Sequence, residues 1–168
     1  MQIAANPLQS YWLSLRAAPF PSLGSAAGVT VAMAGMVALM TWEIWARGLA
    51  PIWTGAELEP AKMLSAVLGL SPAGGGALHL AMAWIGFPAL FQFVIRPLAR
   101  AAESRTPAWL LGAEFGAFIF GLALVSTVFA SAPEALAPQG SALVLLLGHL
   151  LYGAVLAIAI EEQDQFEI

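Results

Sequence analysis

The chain has 168 residues, of which 60% are hydrophobic and only 10% are charged, and its net charge is −4. Soluble domains are about 25% charged, so this composition excludes a water-soluble bundle, and six scattered Lys and Arg residues exclude the basic patch that nucleic-acid binding needs. The sequence has no cysteine, which excludes disulfides, thiolate metal sites, iron–sulfur clusters and a thiol nucleophile.

Residues 1–23 are predicted to form an interfacial helix and a linker. Asn6-Pro7 is typical of an N-cap followed by the first helical position. Apolar residues then recur at helical spacing, which predicts an amphipathic helix in the headgroup region: Leu8, Tyr11, Trp12 and Leu15. No basic run precedes a short apolar core, so a cleavable signal peptide is not expected.

Four apolar stretches dominate the rest of the chain and predict an all-α polytopic membrane protein. About 20 helical residues cross a hydrocarbon core of about 30 Å, and each stretch is long enough to cross once. Ser71-Pro72 and Thr106-Pro107 are typical helix starts. The predicted bundle covers 24–160, with spans at 24–46, 72–95, 107–130 and 141–160.

A short helix is predicted between the first two spans. It begins at Glu59-Pro60, ends at Gly69 and is expected to lie on the membrane. Its apolar face consists of Met63, Leu64, Val67 and Leu68. Within the second span, Pro88 deletes a backbone hydrogen bond and predicts a kink whose freed carbonyl group neighbouring helices must shield.

The distribution of positive charge predicts the orientation. Arg96, Arg100 and Arg105 lie between the second and third spans, whereas the following loop has no Lys or Arg. The positive-inside rule then predicts that this loop and both termini of the multi-pass chain lie in the cytoplasm. Residues 161–168 form an acidic tail, and two aromatic belts are expected: Trp42, Trp45 and Trp53 outside, and Tyr11, Trp12 and Trp109 inside.

Ionisable residues within spans usually face a partner or a cavity. His79 and His149 are predicted at matched depth, about 10–12 Å from the outer boundary. Packing through interhelical hydrogen bonds is the preferred interpretation. The alternatives are a cofactor site for haem b or a metal, the latter with Glu43 as a carboxylate ligand, or a proton path. Glu114 is expected to pair with Arg96, although a proton-path role is also open.

Small residues spaced four apart predict close helix contacts in lipid. Four helices carry more of these residues than a single bundle needs, which points to packing against another membrane protein. The predicted packing positions are Gly24, Gly28, Gly112, Gly116 and Gly153.

A motif in the fourth span carries a family resemblance. The Gly148–Gly153 segment has the pattern Gly-His-x-x-x-Gly, the second span opens with a histidine at His79, and Arg96-Pro97 closes it. In these features the chain resembles small bacterial four-helix inner-membrane proteins of uncharacterised families. The resemblance implies the four-span topology and a bacterial inner membrane, and it implies no activity.

The leading functional hypothesis is a non-catalytic accessory subunit of a larger membrane complex. No Walker loop, HExxH or GxSxG motif is present, so no enzyme activity is expected. The expected partners are other integral membrane subunits and lipids, and the predicted complex is an energy-transducing one of respiratory or photosynthetic electron transfer. The alternatives are a small transporter or channel, and a haem or metal protein that uses His79 and His149.

Overall fold

The computed structural model describes residues 26–102, 104–129 and 142–166. These residues form helices and connecting turns, and four of the helices are long and apolar enough to cross a membrane. The predicted all-α polytopic fold is confirmed. The expected N-terminal interfacial helix, Gly24 and Ser141 lie outside the described residues.

The four spans differ in regularity. Span three is the α-helix Ala108–Phe129, and span four is the α-helix Ala142–Phe166, which continues through most of the acidic segment. Span one is the α-helix Ala26–Ile44, the π-helix Trp45–Leu49 and the α-helix Ala50–Thr54. Span two is composed of Pro72–Ala81, π-helix Met82–Gly86, Phe87–Leu90, π-helix Phe91–Ile95 and Arg96–Ala101.

Prolines account for the three π-helical segments. Each segment ends immediately before the dipeptide Ala50-Pro51, Phe87-Pro88 or Arg96-Pro97. In each case the N–H of the residue before the proline donates to the carbonyl oxygen five residues back. The wider turn makes room for a ring that would otherwise meet the preceding turn. Span one therefore continues to Thr54, beyond its predicted end at 46.

Partners from elsewhere in the chain bond to two of the carbonyl groups that these turns release. The Leu58 N–H donates to the Ala46 oxygen at 3.1 Å, and the Tyr152 hydroxyl donates to the Ala83 oxygen at 2.6 Å. The Trp84 oxygen, one turn before Pro88, lies against Gly35 of span one, where a Cβ atom would overlap it. The prediction that neighbouring helices shield the freed carbonyl group is therefore confirmed, with π-helical turns on both sides of Pro88.

The linker helix, Pro60–Leu68, lies between spans one and two. It begins after Glu59 and ends at Gly69, whose φ of 65° is left-handed and favours glycine. Gly75 allows it to pack on span two, because a Cβ atom there would overlap Ser65 Oγ and the Ala61 carbonyl oxygen. The Ser71 hydroxyl caps the start of span two by accepting from the Gly74 N–H at 3.1 Å.

Two glycine contacts bring span four against its neighbours. A Cβ atom on Gly116 would overlap the carbonyl oxygen of His149, and one on Gly112 would overlap that of Gly153. On another side of span four, a Cβ atom on Gly148 would lie 2.6 Å from Trp45 Cδ1. Spans one and three therefore both pack on span four at close range. Gly28 is also buried.

Candidate functional site

A cavity of about 300 Å³ lies in the half of the bundle that carries the linker helix. All four spans and the linker helix contribute to its wall, which is mainly aliphatic and aromatic. The apolar face predicted for the linker helix, Met63, Leu64, Val67 and Leu68, lines this cavity. That face therefore covers an opening in the bundle, a role that helical periodicity alone does not distinguish from lying on a membrane surface.

A cluster of aromatic rings, three of which carry nitrogen atoms, lies in the cavity wall. The Trp42 ring centroid lies 4.6 Å from that of His149 and 6.5 Å from that of His79. The Phe120 ring is 5.8 Å from that of His149. The structure thus brings the two predicted histidines to one indole ring, at the same level of the bundle.

The two histidines differ in their bonding. His149 Nδ1 lies 2.8 Å from the Leu145 carbonyl oxygen, one turn back on the same helix. Because a carbonyl oxygen only accepts, Nδ1 carries the proton, and Nε2 of a neutral ring is then an acceptor. This bond lies within one helix, so the expected interhelical hydrogen bond is not what fixes His149. Among the described residues, His79 has no hydrogen-bond partner.

Trp42 is buried in the bundle and does not lie in the predicted aromatic belt. It was expected in an outer aromatic belt with Trp45, but the two side chains are only 4% and 6% exposed. Trp45 Nε1 donates to the Val144 carbonyl oxygen at 3.0 Å, whereas Trp42 Nε1 is buried and has no hydrogen-bond partner among the described residues. Trp53 and Trp109 are exposed, as a belt requires.

The predicted carboxylates do not join the histidines. Glu43 is 2.6 Å from the Arg47 guanidinium on its own helix. Within the described part of the chain, no three His, Asp or Glu residues come together as a metal site would need. A cofactor or metal role for His79 and His149 stays a prediction.

Glu114 lies away from the cavity. Its side chain is exposed on span three, about 9 Å along the helix from Ala108. No described residue bonds to it. Arg96, its expected partner, donates to Gln92 Oε1 at 3.1 Å on its own helix. The Arg96–Glu114 ion pair stays a prediction.

Glu114 belongs to a helix face that is opposite the Gly112 and Gly116 contact. We call it the outer face of span three, and at 100° per residue it comprises Leu110, Glu114, Ala117, Gly121, Val125 and Val128. Four of these side chains are exposed and Ala117 is half-exposed, while a Cβ atom on Gly121 would meet nothing within 4 Å. This face therefore combines a carboxyl group with a small-residue pair, Ala117 and Gly121, that is four residues apart.

Three of the predicted glycines make their close contacts within this chain. Gly112, Gly116 and Gly153 make contacts within the chain, so they are not surplus faces that await a partner. Ala117 and Gly121, which the sequence analysis did not select, are the open small positions on the same helix.

The sequence matches no protein-family model, and no curated protein or solved structure is similar to it. The resemblance to small bacterial four-helix inner-membrane proteins therefore stays a prediction.

Proposed function

We propose that this chain is a non-catalytic accessory subunit of a larger membrane complex, of the energy-transducing class that carries out respiratory or photosynthetic electron transfer. The observation that carries the proposal is the outer face of span three. Glu114 there is exposed at membrane depth, without a partner among the described residues. Ionisable residues within membrane spans rarely face lipid and usually pair with a polar group, so a second protein is the natural source of that group.

The small residues beside Glu114 support a helix as the partner. Ala117 and Gly121 leave a shallow groove on an otherwise bulky surface, since no described atom lies within 4 Å of a Cβ atom on Gly121. Helices in lipid associate through such positions because close backbone approach maximises dispersion contacts. A partner helix with a hydrogen-bond donor at the level of Glu114 satisfies both features.

The proposed location is the bacterial inner membrane, with both termini in the cytoplasm. Arg96, Arg100 and Arg105 lie at the end of the bundle opposite the linker helix, which is the charge asymmetry that the positive-inside rule uses. Glu114 would then lie in the cytoplasmic half of the bilayer.

Photocrosslinking from the outer face tests the proposal. With benzoylphenylalanine in place of Val125, whose side chain is 49% exposed, irradiation of native membranes should give one adduct with a different membrane protein. The same probe in a chain that also carries Gly121→Leu is the control, and it should give at least tenfold less adduct because leucine fills the groove. Adducts with lipid alone would contradict the proposal.

A further inference from the structure

The cavity between the spans is large enough for a small ligand, and the proposed function does not require such a ligand. Its volume of about 300 Å³ is at the lower end of the range for small-molecule sites. Its wall combines linker-helix side chains with Phe87, Phe120 and Leu145. An apolar molecule, or the apolar part of one, is therefore compatible with the space.

The indole N–H of Trp42 points to a ligand with a hydrogen-bond acceptor. Trp42 is only 4% exposed, lines the cavity and leaves Nε1 without a partner among the described residues. Buried donors are almost always satisfied, and leaving one unsatisfied is unfavourable because its hydration is lost without replacement. Trp45 is almost as buried as Trp42, and its N–H donates to the Val144 carbonyl oxygen, so burial in this bundle does not by itself leave an indole N–H unpaired.

The imidazoles supply the complementary acceptor. His149 gives its Nδ1 proton to Leu145, so Nε2 of a neutral ring accepts. His79, also in the cavity wall, adds a second ring without a described hydrogen-bond partner. The cluster can therefore donate to one ligand oxygen and accept from another.

The rest of the wall restricts the chemistry of that ligand. Among the described residues that line the cavity there is no Asp, Glu, Lys or Arg, so a phosphate or carboxylate head group would have only the imidazoles of His79 and His149 as counter-charges. The His149 ring lies between the rings of Trp42 and Phe120, at centroid distances of 4.6 and 5.8 Å. Both distances are within the range of favourable aromatic contacts. An uncharged, flat head group suits this wall better than a linear alcohol.

We propose that the cavity binds a membrane quinone or quinol. A quinone carbonyl oxygen accepts from Trp42 Nε1, a quinol hydroxyl donates to His149 Nε2, and the hydrocarbon substituent packs against the linker helix. The proposal concerns binding alone. It goes beyond the proposed function, because it concerns the isolated chain and uses a surface separate from the outer face of span three.

Titration of the purified full chain in phosphatidylcholine nanodiscs with decylubiquinone tests the proposal. Calorimetry should show saturable binding of one molecule per chain. Trp42→Phe keeps a ring but removes the N–H and should weaken binding about tenfold, equivalent to about 1.4 kcal/mol. Trp109→Phe, an exposed position outside the cavity, should bind as the unaltered chain does. Decanoic acid, which has a carboxylate in place of the ring, should not compete.

The NMR signals of the indole N–H groups give a second readout. They are measured on the unaltered chain, so the result does not depend on whether a variant with a core substitution folds. Decylubiquinone should shift the Trp42 signal and leave that of Trp45 in place, because Trp45 already bonds to Val144. Absence of saturable binding, equal affinity of the Trp42→Phe chain, equal competition by decanoic acid or an unshifted Trp42 signal would each overturn the proposal.

Discussion

Gly116→Leu is expected to prevent spans three and four from packing, with a loss of about 3 kcal/mol or more in the free energy of unfolding. A Cβ atom at Gly116 would overlap the backbone carbonyl oxygen of His149, and a rigid helix backbone cannot yield as a side chain can. Overpacking usually costs about 1–3 kcal/mol. We expect a loss at the upper end of this range for Gly116→Leu, because the two helices must move apart along the whole interface. Unfolding in a graded series of detergent mixtures measures the effect.

Gly121→Leu is the matched control for Gly116→Leu. It lies on the same helix and has the same change in size, but a Cβ atom there meets nothing within 4 Å. The isolated Gly121→Leu chain should unfold within about 0.5 kcal/mol of the unaltered chain, the usual range for surface changes. Equal losses for both variants would show that the Gly116 contact does not hold the spans together.

Glu114→Leu is expected to separate the chain from its partner while the chain itself stays folded. Leucine is better suited to a lipid-facing position than a carboxyl group, so insertion and folding should be preserved or improved. A hydrogen bond to a charged group is worth about 1.5–3 kcal/mol, so association should weaken at least tenfold. Quantifying the proteins that co-purify from equal amounts of membrane gives the measurement.

Two further variants show whether the effect of Glu114→Leu is specific to the carboxyl group at this position. Glu114→Gln keeps hydrogen-bonding atoms without the charge and should retain more partner than Glu114→Leu. Glu57→Leu removes an exposed carboxylate from the segment between span one and the linker helix and should leave the association unchanged. Undiminished recovery of the partner with Glu114→Leu would contradict the docking role of the outer face.

The number and type of the spans followed from the sequence because lipid imposes a simple length and composition rule. Helix caps at Ser71 and Gly69 were also predictable, since they depend on local backbone chemistry. The end of span one was not, because a π-helical turn at Trp45–Leu49 carries the helix through Pro51.

That boundary decided the interpretation of Trp42. A tryptophan near the end of a span indicates an interfacial belt, but a helix that continues to Thr54 places Trp42 three turns inside it. Pro51 and the continuing apolar residues Ile52 and Trp53 were the signal that could have extended the span. For the same reason Trp42 was not predicted as a neighbour of His79 and His149, which the sequence did indicate.

Which glycines pack inside the chain depends on helix order in space, which spacing does not encode. Gly112 and Gly116 lie against span four of the same chain, a partner that their spacing does not identify. The exposure of Glu114 also required the structure, because periodicity alone gives only relative directions on a helix. Only contacts show which direction is outward.

The composition of the native particle after gentle extraction shows whether this chain works as part of a larger assembly. In a mild detergent we expect a particle well above the 17.5 kDa of the chain that contains at least one different membrane protein in fixed ratio. A particle that contains this chain alone, with the same composition for the unaltered and Glu114→Leu chains, would contradict the proposed assembly.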